Sequence, residues 1–245
     1  MGSGDESSVR LTIAVPVYNE AGCIVDVMRS CFAVLDQLDG DGEVLVIDDA
    51  STDSTPALLA ELAAAEPRLR VLRNAENAWL GVFHRRVREH ARGEWVFLIG
   101  ADGEADYFQA LEFLEIAERL GVDAVLGYRP TRVYTSYRKI VSRSYNGLVS
   151  LCFGARFRDI GWIRLMRRSV FSQIPVYSNS AFADAEQLVA ARRKGARFEE
   201  VPSEHLPRAS GTGSGARLTN VAKAFRDLTL TRLRWFRFDH YYGGD

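Results

Sequence analysis

Residues 11–20 read LTIAVPVYNE and residues 43–56 read EVLVIDDASTDSTP. Each opens with a short apolar run rich in β-branched side chains and then turns abruptly polar, as a strand buried on both faces does where it runs into a loop. Between them Ile24, Val27, Met28, Cys31, Leu35 and Leu38 recur at three- and four-residue intervals, which predicts a helix. Behind the second run Thr55 is placed to cap a helix, Pro56 suits its first turn, and Leu58, Leu59 and Leu62 line it. The alternation continues with strands over 69–72, 95–99 and 123–127 and helices over 82–91 and 105–120. Strands and helices alternating at this length predict an α/β, Rossmann-like fold: a mostly parallel central sheet with helices on both faces and right-handed crossovers.

After residue 127 the alternation ends. A helix over 137–151, a short strand or turn within 159–165, a helix over 181–194 and a strand over 197–201 are expected, then a permissive Gly/Ser/Thr loop over 209–216. From residue 218, Leu218, Val221, Phe225 and Leu228 form an apolar stripe, and Lys223, Arg226, Arg232, Arg234 and Arg237 supply cations ahead of and among Trp235, Phe236 and Phe238. Such a basic amphipathic tail over 218–245 suits a peripheral membrane contact, a dimer contact or packing back on the rest of the chain.

The whole chain has 245 residues, 47% apolar and 26% charged, with a net charge of −1. No apolar run approaches the roughly twenty residues of a membrane span. Residues 1–8 lack a basic start and an apolar core, so they read as a disordered leader and not as a secretory signal. Cys23, Cys31 and Cys152 are an odd count without paired spacing, which argues against a disulfide framework and for a reduced, cytoplasmic setting. The near-zero charge hides an asymmetry: residues 128–168 hold ten Arg or Lys against Asp159 alone. A block so one-sided points to multivalent anions such as phosphate, diphosphate or acidic lipid. With no groove-reading motif beside it, nucleic acid is not the expected partner.

In open parallel sheets ligands bind beyond the carboxyl ends of the strands. Three polar stretches fall there: Tyr18, Asn19 and Glu20 after the first strand, Asp48 and Asp49 after the second, and Asp102, Gly103 and Glu104 after the fourth. Singly, each also suits a helix cap or a turn. Together at one edge, with a basic block elsewhere, they suit a ligand that combines a base and ribose, a metal ion and a diphosphate.

VPVYNE at 15–20 and VIDDASTDST at 46–55 resemble the two opening signatures of family 2 glycosyltransferases of the GT-A fold. GEWVFL at 93–98 leading into ADGE at 101–104 is similar to that family's approach to its DxD metal motif, and DAVLGYR at 123–129 to the strand closing the nucleotide-binding half. Farther on, DIGWIRL at 159–165, the helix of Glu186, and Val201-Pro202 through Pro207-Arg208 and Gly211 resemble the dolichol- or polyprenyl-phosphate mannosyltransferase branch. The resemblance covers roughly residues 11–230 and implies a nucleotide-sugar half over 9–127 and an acceptor half over 128–217.

It also implies roles. Pro16, Tyr18, Glu20, Asp48, Asp49 and Asp102 would bind the nucleotide, carboxylates accepting hydrogen bonds from ribose hydroxyls or a base N–H. Asp102 and Glu104 would hold Mg²⁺ or Mn²⁺, although Gly100 occupies the position of the first DxD aspartate, which puts the metal requirement in question. Asp102, Asp159, Glu186 and Arg208 are the catalytic candidates, and Arg129, Arg132, Arg138, Ser142 and Arg208 the acceptor-phosphate candidates. His84, His90, His205 and His240 show no mutual spacing for a metal and read as structural or surface residues.

The activity so implied is an inverting hexosyltransferase that carries a sugar from a GDP- or UDP-sugar to a polyprenyl phosphate at the cytoplasmic membrane face. A phosphate acceptor is already ionised and needs no base, whereas an alcohol must lose a proton as it attacks. A soluble alcohol or amine acceptor, and a non-catalytic nucleotide-sugar-binding subunit, are the alternatives.

Overall fold

The computed structural model describes residues 9–131, 136–207 and 218–243, with the side chains of 136–141 and 218 outside the description. The leader over 1–8 and the Gly/Ser/Thr loop over 209–216 also lie outside the described residues. Seven strands, β1 (Leu11–Val17), β2 (Gly42–Asp48), β3 (Leu69–Arg73), β4 (Trp95–Leu98), β5 (Ala124–Tyr128), β6 (Arg164–Arg167) and β7 (Phe198–Pro202), form one sheet in the order β3-β2-β1-β4-β6-β5-β7. Helices α1 (Ile24–Asp36), α2 (Thr55–Ala65), α3 (Trp79–His90), α4 (Gln109–Leu120), α5 (Ser136–Phe153), α6 (Arg168–Ser172), α7 (Phe182–Arg193), α8 (Leu218–Arg234) and α9 (Phe238–Tyr242) cover it.

Every adjacent pair is parallel except those of β6, which runs antiparallel to both β4 and β5. Arg164 of β6 sits opposite Leu98 on one side and Leu126 on the other. The carboxyl ends of β4 and β5 therefore reach the same edge as those of β1 and β2, despite the reversed strand between them.

Strand pleating sorts the core into two layers. Ile13, Val15, Val44, Val46 and Val125 face one way and pack with α1, α2 and α4. Ala14, Leu45, Ile47, Ala124 and Leu126 face the other, with α3, α5 and α7. Helix α7 is buried from Phe182 to Ala191 on nearly every side, because the sheet, α3 and α8 enclose it. The tail closes this second layer through Ala224, Leu228, Trp235, Phe238 and Tyr242, with the Trp235 ring 5.0 Å from Phe153. Of the expected apolar stripe, Leu228 is buried and Phe225 is not: Phe225, Leu233 and Phe236 stay 59%, 61% and 75% exposed.

Three helix starts differ from the sequence reading, that of α3 by coming at Trp79 and not at residue 82. Helix α4 begins at Gln109 because Asp106 accepts the Phe108 N–H and Tyr107 donates its hydroxyl to Gly100 O, which makes 102–108 a turn. Thr55 is the first residue of α2, and its hydroxyl accepts the Glu20 N–H at 3.0 Å instead of capping its own helix.

Helix α3 lies hard against the segment 177–180. A Cβ added at Gly81 would stand 1.9 Å from Ser178 O, a backbone atom with no way to yield. Gly81→Ala is therefore expected to cost about 1–3 kcal/mol of stability, read from the urea midpoint.

Candidate active site

The loops beyond β1 and β2 are stitched into one body. Asn19 adopts a left-handed conformation (φ 55°), receives Thr52 N–H on Oδ1 at 2.7 Å and donates its own N–H to Ser51 Oγ at 2.9 Å. Ala21 N–H reaches Asp53 Oδ2, and Cys23 Sγ donates to Ala101 O at 3.1 Å, tying this body to the loop of Asp102. Tyr18 projects from it, 45% exposed, beside Pro16 and Glu20, which are half-buried.

The adjacent acids Asp48 and Asp49 have different tasks. Asp48 closes β2 with its side chain buried, receiving Ser51 N–H at 2.9 Å and Arg73 Nη1 at 2.8 Å. It shapes the turn. Asp49 receives Asn74 Nδ2 and Ala78 N–H on Oδ1 and Trp79 N–H on Oδ2, at 2.7, 2.8 and 3.0 Å. One carboxylate thus sets the whole β3–α3 loop.

At the other end of the site a chain of contacts joins four segments. Asp159 grips Arg129 through Nε at 2.7 Å and Nη2 at 2.9 Å, a bidentate pair buried on both sides. The guanidinium lies over Trp162, 4.1 Å from the ring centre, and Trp162 meets His205 edge-on at 5.4 Å. His205 Nε2 stands 3.3 Å from Glu104 Oε2, while Glu104 O accepts Leu206 N–H and Asp102 Oδ1 accepts Glu104 N–H. A cleft of about 420 Å³ opens there, lined by Pro130, Thr131, Ser203 and His205. Asp102, Glu104, Arg129 and Asp159 are thus brought together at one edge of the sheet.

Asp102 and Glu104 are hard oxygen donors of the kind Mg²⁺ and Mn²⁺ take. Among the described residues no group of three or more His, Cys, Asp or Glu is gathered for a metal. The fit is to a cation that completes its shell with water and a ligand's phosphates, as Mg²⁺ usually does. Gly100 contributes space: a Cβ there would lie 3.2 Å from Asp102 Oδ1.

Glu186 lies apart from this cluster. It is wholly buried, accepts Tyr177 and Ser178 N–H on Oε2 at 3.1 and 2.8 Å, and receives the Tyr242 hydroxyl on Oε1. Its bonds fasten the tail to the segment before α7. Ser142 lies half-buried in α5. Arg132 and Arg208 fall outside the described residues, as does the side chain of Arg138.

The basic block is not one patch. Arg164 is buried against Asp184 at 2.6 Å, Arg167 pairs with Glu94 and covers Trp95, and Arg168 donates to Gly93 O. His84 Nε2 completes the first of these clusters, 2.9 Å from Asp184 Oδ1. Burial alone would raise the Asp184 carboxyl, but Arg164 and His84 outweigh it and hold the group down at about 2. Burial pushes His84 below its ordinary value, more than Asp184 raises it.

Sequence reading gives His205 only a structural or surface role. No spacing could have shown His205, whose partner Glu104 is 101 positions away. Only the structure singles out Trp79, through a φ of 68°, a glycine-like conformation at the head of a helix.

The family model "Glycosyl transferase family 2" matches residues 12–183. The glycosyltransferase AglD of Haloferax volcanii is 32% identical over 212 residues, 82% of this chain and 34% of that protein. The undecaprenyl-phosphate 4-deoxy-4-formamido-L-arabinose transferase of Edwardsiella ictaluri is 27% identical over 206 residues, 82% of this chain and 61% of that one. The chain therefore spans less than two thirds of either relative. The mannosyltransferase PcManGT of Pyrobaculum calidifontis, solved with GDP-Man and Mn²⁺, superposes with a TM-score of 0.62 at 20% identity, over 92% of this chain and 64% of that one. That likeness shows the GT-A fold. On the matched residues, which take in the loops of β1, β2 and β4 and the Arg129–Asp159 pair, this chain belongs to glycosyl transferase family 2.

Proposed function

We propose that the chain transfers a hexose, with inversion, from a nucleoside-diphosphate sugar to a polyprenyl phosphate at the cytoplasmic face of a membrane. The observation that carries this reading is the meeting, at one sheet edge, of the Asp102–Glu104 loop with a buried, bidentately held arginine. The relatives' names add a lipid-phosphate acceptor, and the solved neighbour's ligand adds a nucleotide sugar.

Residues 9–127 would hold the donor. Tyr18 and Glu20 face the nucleoside, and Asp49 acts by holding the 74–79 loop in place. Asp102 with Glu104 would hold Mg²⁺ or Mn²⁺, which when bound offsets the charge of the departing diphosphate. Arg129, kept from swinging by Asp159 and Trp162, presents a fixed cation to the phosphates. Residues 128–217 would take the acceptor, with Arg132, Arg138, Ser142 and Arg208 on its phosphate.

A phosphate oxygen attacks the anomeric carbon directly, in line with the bond that breaks, so the sugar inverts. No residue need take a proton. This agrees with the engagement of the three carboxylates among which an alcohol acceptor would find its base: Asp159 is spent on Arg129, Asp184 on Arg164 and His84, and Glu186 on three donors. The second reading, an alcohol or amine acceptor, is favoured by the His205–Glu104 pair, which has the make-up of a base.

No helix among the described residues is long and apolar enough to cross a membrane. Contact with a bilayer would be peripheral, through exposed Phe225, Leu233 and Phe236 with their neighbouring arginines. Changing all three to Ser is expected to reduce sedimentation with anionic vesicles and to leave the unfolding midpoint within experimental error.

The test of the whole is transfer of radiolabel from a panel of GDP- and UDP-sugars to polyprenyl phosphate, read as a solvent-extractable product. Label moving only to soluble alcohols, and lost in His205→Ala, would establish the second reading. Donor binding without transfer to any acceptor would leave a binding subunit.

A further inference from the structure

The segment 177–180 is held by an unusual arrangement. Glu186 accepts the N–H groups of Tyr177 and Ser178, and Asp227 of α8 accepts those of Asn179 and Ser180 at 3.1 and 3.0 Å. Four successive backbone donors are thus tied to two carboxylates, and Gly81 is pressed against the same segment from the other side. The result is a rigid wall.

A cleft of about 310 Å³ lies between this wall and α8, lined by Trp79, Tyr177, Lys223, Arg226, Leu230 and Arg234. Its charge is lopsided. Three cations meet one acid, Asp227, whose Oδ2 is already engaged by two N–H groups. Among the described residues neither Lys223 nor Arg226 forms an ion pair; Lys223 rests 4.0 Å over the Trp79 ring, and Arg234 4.9 Å over Tyr177. Cations parked on aromatic faces keep their charge uncompensated and ready for an anion. Trp79 itself holds a left-handed conformation that a β-carbon disfavours, maintained by the bond from its N–H to Asp49. The indole it presents is 39% exposed at the cationic cleft.

We infer that this cleft binds a phosphate monoester, with the phosphate between Lys223 and Arg226 and the ester's apolar body against Trp79 and Leu230. Guanidinium and ammonium together match the charge of a phosphate dianion, and arginine adds bidentate geometry. Two sources carry that chemistry, a soluble organic phosphate and the headgroup of an anionic lipid. Among the described residues, none of the acceptor or metal candidates lines this cleft.

The test is titration of the full chain with n-hexyl phosphate and, separately, with vesicles of phosphatidylcholine containing phosphatidic acid. Binding is followed by tryptophan fluorescence and by calorimetry or co-sedimentation. A saturable fluorescence change is expected with one of the two. Trp79→Phe should remove the fluorescence change and leave the heat or sedimentation signal. The double change Lys223→Ala with Arg226→Ala, both on exposed positions of α8, should weaken binding tenfold or more. Binding of the soluble ester identifies a soluble ligand; binding of phosphatidic acid vesicles alone, with pure phosphatidylcholine inert, identifies a headgroup. No binding in either arm, a fluorescence change that survives Trp79→Phe, or affinity unchanged in the double variant would each overturn the proposal. Asp102→Asn separates it from the transfer reading, since loss of sugar transfer there should leave this binding intact.

Discussion

Asp102→Asn is expected to lower sugar transfer at least about a hundredfold while leaving the unfolding midpoint unchanged. The substitution keeps size and shape, and its remaining oxygen can still receive the Glu104 N–H that Asp102 Oδ1 accepts at 3.2 Å. What it removes is the charge at the tip of the loop, where the diphosphate would leave. A chelator should bring the unaltered chain down to the same level, and added Mn²⁺ should restore the unaltered chain but not the variant. Manganese binding, followed by electron paramagnetic resonance, should weaken in step. Full activity in chelator together with full activity of Asp102→Asn would show that arginines alone manage the leaving charge. That outcome is physically open because Gly100 leaves this loop with one carboxylate fewer than the resemblance implies.

The largest stability effect is expected at Arg164, remote from that chemistry. Its guanidinium is buried on Asp184 at 2.6 Å with His84 alongside, and Gln187 accepts from it at 3.3 Å. Arg164→Leu removes the cation that faces the buried Asp184 carboxylate. Breaking a buried pair in this way costs about 3–5 kcal/mol, read as a lowered urea midpoint. Unchanged stability would mean that the cluster contributes nothing net.

The same cluster predicts a pH dependence. Asp184 falls from an ordinary value of 3.8 to about 2 in the folded chain, so its contribution is complete above about pH 4 and disappears as the pH falls towards 2. His84 is depressed below its ordinary 6.5, so below that pH the unfolded chain binds a proton that the folded chain does not. Both groups act in one direction. Stability should begin to decline below about pH 6.5 and fall more steeply below about pH 4, with the first phase missing in His84→Leu.

Much of this architecture is legible along the chain. The strands β1, β2, β4 and β5 announce themselves because each is an apolar run ending in polar residues, and the helices between β1 and β5 show their period, whereas β3 and β7 carry Arg70 and Glu199 with Glu200 inside the strand. Strand β6 shows only in part: the short strand or turn expected within 159–165 overlaps it at Arg164 and Leu165, and nothing local says that it runs backwards between β4 and β5. The tail's amphipathic period is also visible, but a period cannot say which apolar side is covered. Helices α5 and α7 take Leu228 and leave Phe225 outside.

The sequence by itself determined that acids follow β1, β2 and β4, and parallel strands with right-handed crossovers have to bring those ends to one edge. Only tertiary structure decided what each acid does there. Asp48 and Asp49 are neighbours in the chain, yet the pleat turns one inward onto Arg73 and leaves the other to hold Trp79. Asp159 finds Arg129 across 30 positions and Glu104 finds His205 across 101. Such partners are chosen by where loops end in space, a long-range property for which no residue spacing is a record.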